Sequence, residues 1–272
     1  MDSEYDYEYV KSNKKQLCVY CTGSDTRIYS THIKLLNKLG IDCSGSGLDR
    51  RARSDPLAIH FLRLAGKYAD IIISTPDQSY HSEREYYVGY QPFNIDTTGR
   101  KFCDPSARRM LHIPSTEIKG TSHFLTAASE AILDQRKRIE CGIGKNYTHQ
   151  QFLKKLCETD IYLDELFFFN HGMASVEAMC TGVLSVAGDR LDICPHPERE
   201  IWPANTHNLK ERLSMLLEMS DLEFNQLSDE VRRLTRQRHD HVKVCRDMVN
   251  LINTGSSPGY TLAKDGLSSL VA

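Results

Sequence analysis

Short apolar runs alternate with segments of helical spacing along most of the chain. Residues 16–21 and 70–74 carry compact apolar runs, the pattern of buried strands. Between them, residues 29–39 set Ile33, Leu36 and Leu39 at helical intervals and stop at Gly40, and Asp55-Pro56 opens a helix through Ala65. A short strand is predicted at 86–90, an amphipathic helix at 121–138, strand and turn at 138–144, and a helix capped by Thr148 that runs to Cys157. The densest stretch follows. Ile161-Tyr162-Leu163 is apolar, Asp164-Glu165 is a carboxylate pair, and 166–169 is apolar again. A turn at Asn170-His171-Gly172 leads to helix-forming residues 175–180, Gly182 stops them, and 183–187 reads as the next buried strand. Beyond it, 190–203 predicts a Pro-rich loop, and 209–219 and 222–252 predict helices.

Strand, glycine turn, helix and strand form a βαβ unit, so the expected class is α/β with parallel sheets. In such sheets the loops leaving the carboxyl ends of strands feed helix N-termini, whose N–H groups suit a phosphate. The loop 170–174 therefore becomes a candidate site. Acids, tyrosines and lysines without periodicity make residues 1–15 a flexible tail. The polar segment 96–109 carries Gly99 and Pro105 and reads as a linker, which gives a first lobe at 16–105 and a second at 106–252. Residues 253–272 read as a flexible end.

Charge alters this picture little. With 34 basic and 36 acidic residues the formal net charge is −2, which does not argue for nucleic-acid binding. The nine cysteines are scattered and, like the histidines, complete no metal set, so reduced thiols and no metal ligand are expected. The acidic start is no signal peptide and no run is long enough to span a membrane, so a cytoplasmic protein is expected. On its own residues, Lys119 reads as a solvated lysine at a helix start and His112 as a satisfied core histidine. The turn Gly23-Ser24-Asp25-Thr26-Arg27 reads either as a ligand cradle or as a plain turn stapled by Asp25 and Arg27.

Three patches resemble the retaining, nucleotide-sugar-dependent "group 1" glycosyltransferases of GT-B fold. They are Gly23–Arg27, His112–Thr121 and 160–186, the last with Glu177-Ala178-Met179-Cys180-Thr181-Gly182-Val183-Leu184 at its centre. Asp164-Glu165 with Asn170-His171-Gly172 is similar to one subgroup of that family. The chain departs from the pattern in two of these places. Phe169 stands where the family has a second Glu, and Ser115, Thr116 and Glu117 stand where an upstream Arg is usual.

The resemblance implies two Rossmann-like lobes with the N-terminal one shortened. It implies transfer of a hexosyl or pentosyl group from a nucleoside-diphosphate sugar to a glycan or small-molecule acceptor, without metal or cofactor. Lys119 would meet the diphosphate and Glu177 the ribose, while Asp25, His112 and Asp164 stay open as candidates to face the anomeric carbon. Gly23, Arg27, Ser115, Thr116, Gly120, Ile143, Asp164, His171, Gly172, Met173 and Ala174 complete the expected donor site. A homodimer is an open partner expectation. The alternatives are an inactive sugar-nucleotide- or glycan-binding protein of the same fold, and an unrelated α/β scaffold.

Overall fold

The computed structural model describes residues 4–23, 26–75, 84–99, 101, 107–133, 138–144, 147–169, 172–188 and 202–263 of the 272-residue chain. The first half of the described chain runs α1 (Glu4–Ser12), β1 (Cys18–Cys21), α2 (Tyr29–Lys38), α3 (Leu48–Arg51), α4 (Asp55–Tyr68), β2 (Ile71–Ser74), β3 (Tyr86–Val88), β4 (Ala107–His112) and α5 (Thr121–Leu133). It continues with β5 (Arg138–Ile143), α6 (His149–Leu156), β6 (Ile161–Leu163), α7 (Met173–Thr181), β7 (Leu184–Gly188), β8 (Trp202–Ala204), α8 (Leu209–Glu218), α9 (Asp221–His239), α10 (His241–Thr254) and β9 (Thr261–Ala263).

These elements form two compact units, 1–91 with 192–196 and 242–272, and 92–191 with 197–241. The division thus falls after Gln91, whereas composition places it at 105/106 and assigns 242–252 to the second lobe. Segment 96–109 looks like a linker because it is polar, yet its described part is tied into the second unit. Arg236 Nη1 donates to Thr98 Oγ1 at 3.0 Å, and Lys101 N donates to Thr181 O at 3.0 Å.

In the first unit the sheet order is β1-β2-β3-β9, parallel except for β9, which pairs antiparallel with β3. Val19, Ile72 and Val88 of the strands pack with Leu64 and Ala65 of α4. The expected N-terminal tail is helical from Glu4 to Ser12. Tyr7 supplies the apolar body that a Leu would in a more legible helix, packing buried beside Tyr68. Glu4 accepts from Lys67 Nζ at 2.6 Å and from the Tyr68 hydroxyl at 2.8 Å. Asp55 accepts from the N–H groups of Tyr29 and Ser30 at 2.7 and 2.9 Å, so a carboxylate of α4 satisfies the exposed donors at the start of α2. In the described part of the other expected tail, β9 (Thr261–Ala263) pairs antiparallel with β3 and covers that strand's edge.

The second unit has five parallel strands in the order β5-β4-β6-β7-β8. Met110, Leu163 and Val186 of the strands meet Phe124 of α5, Met179 of α7, Leu213 of α8 and Phe224 of α9 in one core. Gly182 ends α7 at φ +96°, the left-handed conformation that a side chain would strain. Ser220 and Glu223 form a reciprocal capping box at the start of α9. The predicted helix over 222–252 is two helices. The Phe93 backbone inserts at their junction, where Phe93 N donates to His239 O at 2.8 Å and His241 N to Phe93 O at 3.1 Å. Among the described residues no helix is long and apolar enough to cross a membrane.

Candidate functional site

Parallel pairing sets His112 opposite Ile143 on one side and Leu163 on the other, with Leu163 in turn opposite Val186. All four lie at the carboxyl edge of the second unit's sheet, where α/β sheets hold ligands. The loop after β6 and the start of α7 rise from this edge, as the sequence leads one to expect.

His112 is fully held. Nδ1 lies 2.7 Å from the Leu163 carbonyl, which can only accept, so Nδ1 carries the proton. Nε2 lies 2.9 Å from Thr121 Oγ1 and takes that hydroxyl's hydrogen if the ring is neutral. Burial pushes the imidazole's pKa down, and the positive charge of Lys119 acts in the same direction, so the neutral ring is favoured.

Lys119 is not the solvated lysine its local sequence suggests. It is buried, with Nζ 2.6 Å from Asp164 Oδ1 and 3.4 Å from Glu165 Oε1. Burial lowers its pKa, but the two carboxylates outweigh that effect and raise it above the ordinary lysine value. Asp164 is entirely buried. Burial works to protonate it, yet Lys119 and three hydrogen bonds hold its pKa below the usual carboxylate value. Its Oδ2 accepts from Gly172 N at 3.2 Å and Ser175 Oγ at 2.7 Å. Ser175 spends its one hydrogen there, so Ser185, 2.6 Å away, donates to Ser175.

Asp164 therefore joins three chain segments, and the Gly172 N–H, in the loop expected to face a phosphate, is already used inside the protein. A Cβ at Gly172 would sit 3.3 Å from Glu165 Oε1 and 3.4 Å from Asp164 Oδ2, so a larger residue there would make these side chains give by a few tenths of an ångström.

Glu177 lies in the second turn of α7. Its side chain is 12% exposed, and its Oε1 accepts from His149 Nε2 at 3.0 Å. Burial raises its pKa, against the opposing pull of His149. Phe169, at the position where the resemblance would place a further carboxylate, is buried with Phe167 and Phe168. An ionised side chain there would be desolvated at high cost.

The other expected residues divide by place. Gly120 is buried at φ +77° against Leu166 and Phe167, and it ends the turn that carries Lys119. Ser115 is exposed and Thr116 half-buried on the same loop; Ile143 is exposed at the end of β5. Met173 and Ala174 form the half-buried first turn of α7. Gly23 and Arg27 belong to the first unit, where Arg27 is buried with its Cζ 6.0 Å from the Tyr29 ring centroid. Asp25 and His171 lie outside the described residues.

Sequence reasoning missed Glu165 as a partner of Lys119, Thr121 as the partner of His112, the Ser175–Ser185 pair, and His149. Only His149 had a local signal, as the first residue after the Thr148 cap.

No family profile and no curated relative matches the chain by sequence. Solved structures match it by shape. HepE from Anabaena, in complex with UDP-glucose, is 13% identical over 93% of this chain and 77% of its own, with a TM-score of 0.58. Sucrose-phosphate synthase from Thermosynechococcus elongatus is 11% identical over 92% of this chain and 76% of its own, at 0.56. TarM is 14% identical over 73% of this chain and 46% of its own, also at 0.56. The chain shares with them the GT-B fold of two Rossmann-like α/β units, here with four strands in the first sheet and five in the second.

Proposed function

We propose that the chain is a glycosyltransferase that moves a sugar from a nucleoside-diphosphate sugar to a glycan or small-molecule acceptor, with retention and without a metal. The observation that carries this reading is that His112 and Lys119 lie at the carboxyl edge of the second unit's sheet and Glu177 in the second turn of the helix that rises from that edge. Breaking the bond between sugar and diphosphate develops negative charge on the leaving group, and a fixed cation beside it lowers the barrier. Lys119 gives two of its three N–H directions to Asp164 and Glu165, which leaves one for a phosphate oxygen. Glu177 would accept from ribose hydroxyls. His112, with both nitrogens engaged, serves best as a rigid wall of the sugar pocket. The likeness to a structure solved with UDP-glucose supports a donor of this class.

Two observations favour a second reading, a protein that binds sugar nucleotides without turning them over. The cation is already neutralised by two carboxylates, and Phe169 is buried where a third would be expected.

Release of nucleoside diphosphate from a panel of nucleotide sugars separates the two. A transferase releases it from at least one donor, slowly to water and faster with its acceptor, whereas a binding protein releases none. Glu177→Gln is expected to weaken nucleoside-diphosphate binding by about 1.5–3 kcal/mol, the range for hydrogen bonds to a charged group. Unchanged calorimetric affinity in a folded variant would remove Glu177 from the site.

A further inference from the structure

Nothing in the resemblance assigns His149, yet its imidazole is within hydrogen-bond distance of Glu177. It is the first residue of α6, whose opening turn is fixed by the Thr148–Gln151 capping box, and α6 packs on α7. Its side chain is 61% exposed while that of Glu177 is 12% exposed, so the contact joins a surface ring to a largely buried carboxylate. A carboxylate oxygen only accepts, so Nε2, 3.0 Å from Oε1, is the donor.

We propose that His149 is a positioning residue for nucleotide recognition, holding one oxygen of Glu177 so that the other faces the ribose. The inference rests on the ribose role given to Glu177 above. The surroundings of Glu177 show why a brace is needed. Burial and the charge of Asp164, from the loop after β6, both favour its protonated form, and His149 opposes them. Tyr162 of β6 lies close enough to sense the charge of Glu177. From α9, Arg232 and Arg236 act on Cys180 further along α7. β7 contributes the uncharged Ser185, which is bonded to Ser175. Removing His149 therefore lets Glu177 take up a proton at higher pH, and a protonated carboxyl is a poorer acceptor for ribose hydroxyls.

The test is calorimetric binding of uridine diphosphate and its 2′,3′-dideoxy analogue, over about pH 4 to 8, a range that starts near the ordinary carboxylate pKa, above which burial lifts Glu177. The wild type, His149→Ala, His149→Gln, Glu177→Gln and the double variant His149→Ala/Glu177→Gln are compared. His149→Ala is expected to weaken uridine diphosphate binding about fivefold at the acidic end, the size of one net hydrogen bond, and to move the acid limb toward neutral pH. His149→Gln, which keeps an N–H donor, should recover most of the affinity, and in the Glu177→Gln background the loss of His149 should change nothing. A His149→Ala variant that matches the wild type at every pH, or binds more tightly, overturns the proposal alone. A wild type that fails to prefer the ribose-bearing ligand overturns the ribose reading, and the brace with it.

Discussion

Alanine at position 119 is expected to destabilise the second unit by about 3–5 kcal/mol, the cost of removing one partner from a buried ion pair. The reason lies in Asp164, which has no exposed surface and keeps its charge chiefly because Lys119 is 2.6 Å away. Its remaining partners, Gly172 N–H and the Ser175 hydroxyl, are neutral and do not replace a cation. Local sequence points the other way, since a surface lysine ahead of a helix would cost at most about 0.5 kcal/mol. Lost activity in Lys119→Ala would therefore mix lost chemistry with lost structure. The double variant Lys119→Met with Asp164→Asn separates them. It removes both charges together, so most of the stability should return while the phosphate cation stays absent. Urea unfolding of the three proteins checks this, and a single-variant loss below about 1 kcal/mol would mean that the pair is not buried in solution.

A single methyl at Gly188 should do comparable damage. A Cβ there would lie 1.5 Å from the Phe168 carbonyl oxygen and 2.6 Å from its carbon, with Leu166 O at 3.1 Å. These are backbone atoms of the loop that follows β6, so no rotamer change relieves the overlap. Gly188 N also donates to Glu165 O at 2.6 Å, fixing the same loop to the end of β7. Gly188→Ala must push that loop off the strand, and with it Asp164 and Glu165. A loss above about 4 kcal/mol is expected, which lowers the melting temperature by roughly 8–16 °C for a unit of this size. A variant melting within about 2 °C of the wild type would show that the loop sits further from β7.

Both results depend on contacts that sequence spacing does not display. What spacing displayed well was local. The strands at 16–21, 70–74 and 183–187, the Thr148 cap and the Gly182 stop each follow from a few adjacent residues, and each is present. Elements that draw their apolar partners from far along the chain were not legible. α1 buries a tyrosine against α4, and β8 and β9 are three residues each and owe their form to strand partners. The break at Asp240 comes from Phe93, 147 residues earlier. In the site, residue types were legible from the resemblance but their charge states were not. Lys119 and Asp164 are 45 residues apart, and His149 and Glu177 are 28 apart. A pairing at such distance leaves no periodic trace, yet it decides which groups are buried and which carry charge.

The central claim is that the carboxyl edge of the second sheet holds a nucleoside diphosphate. Thermal unfolding of the wild type and Glu177→Gln with uridine, adenosine and guanosine diphosphates tests it most directly. A ligand bound only by the folded protein at a hundredfold its Kd adds about 2.7 kcal/mol of stability. At least one of the three should therefore raise the wild-type melting temperature by several degrees, and the rise should shrink in Glu177→Gln. No shift with any of them at millimolar concentration, in a protein that unfolds cooperatively, would contradict the account and leave a GT-B scaffold without a nucleotide site.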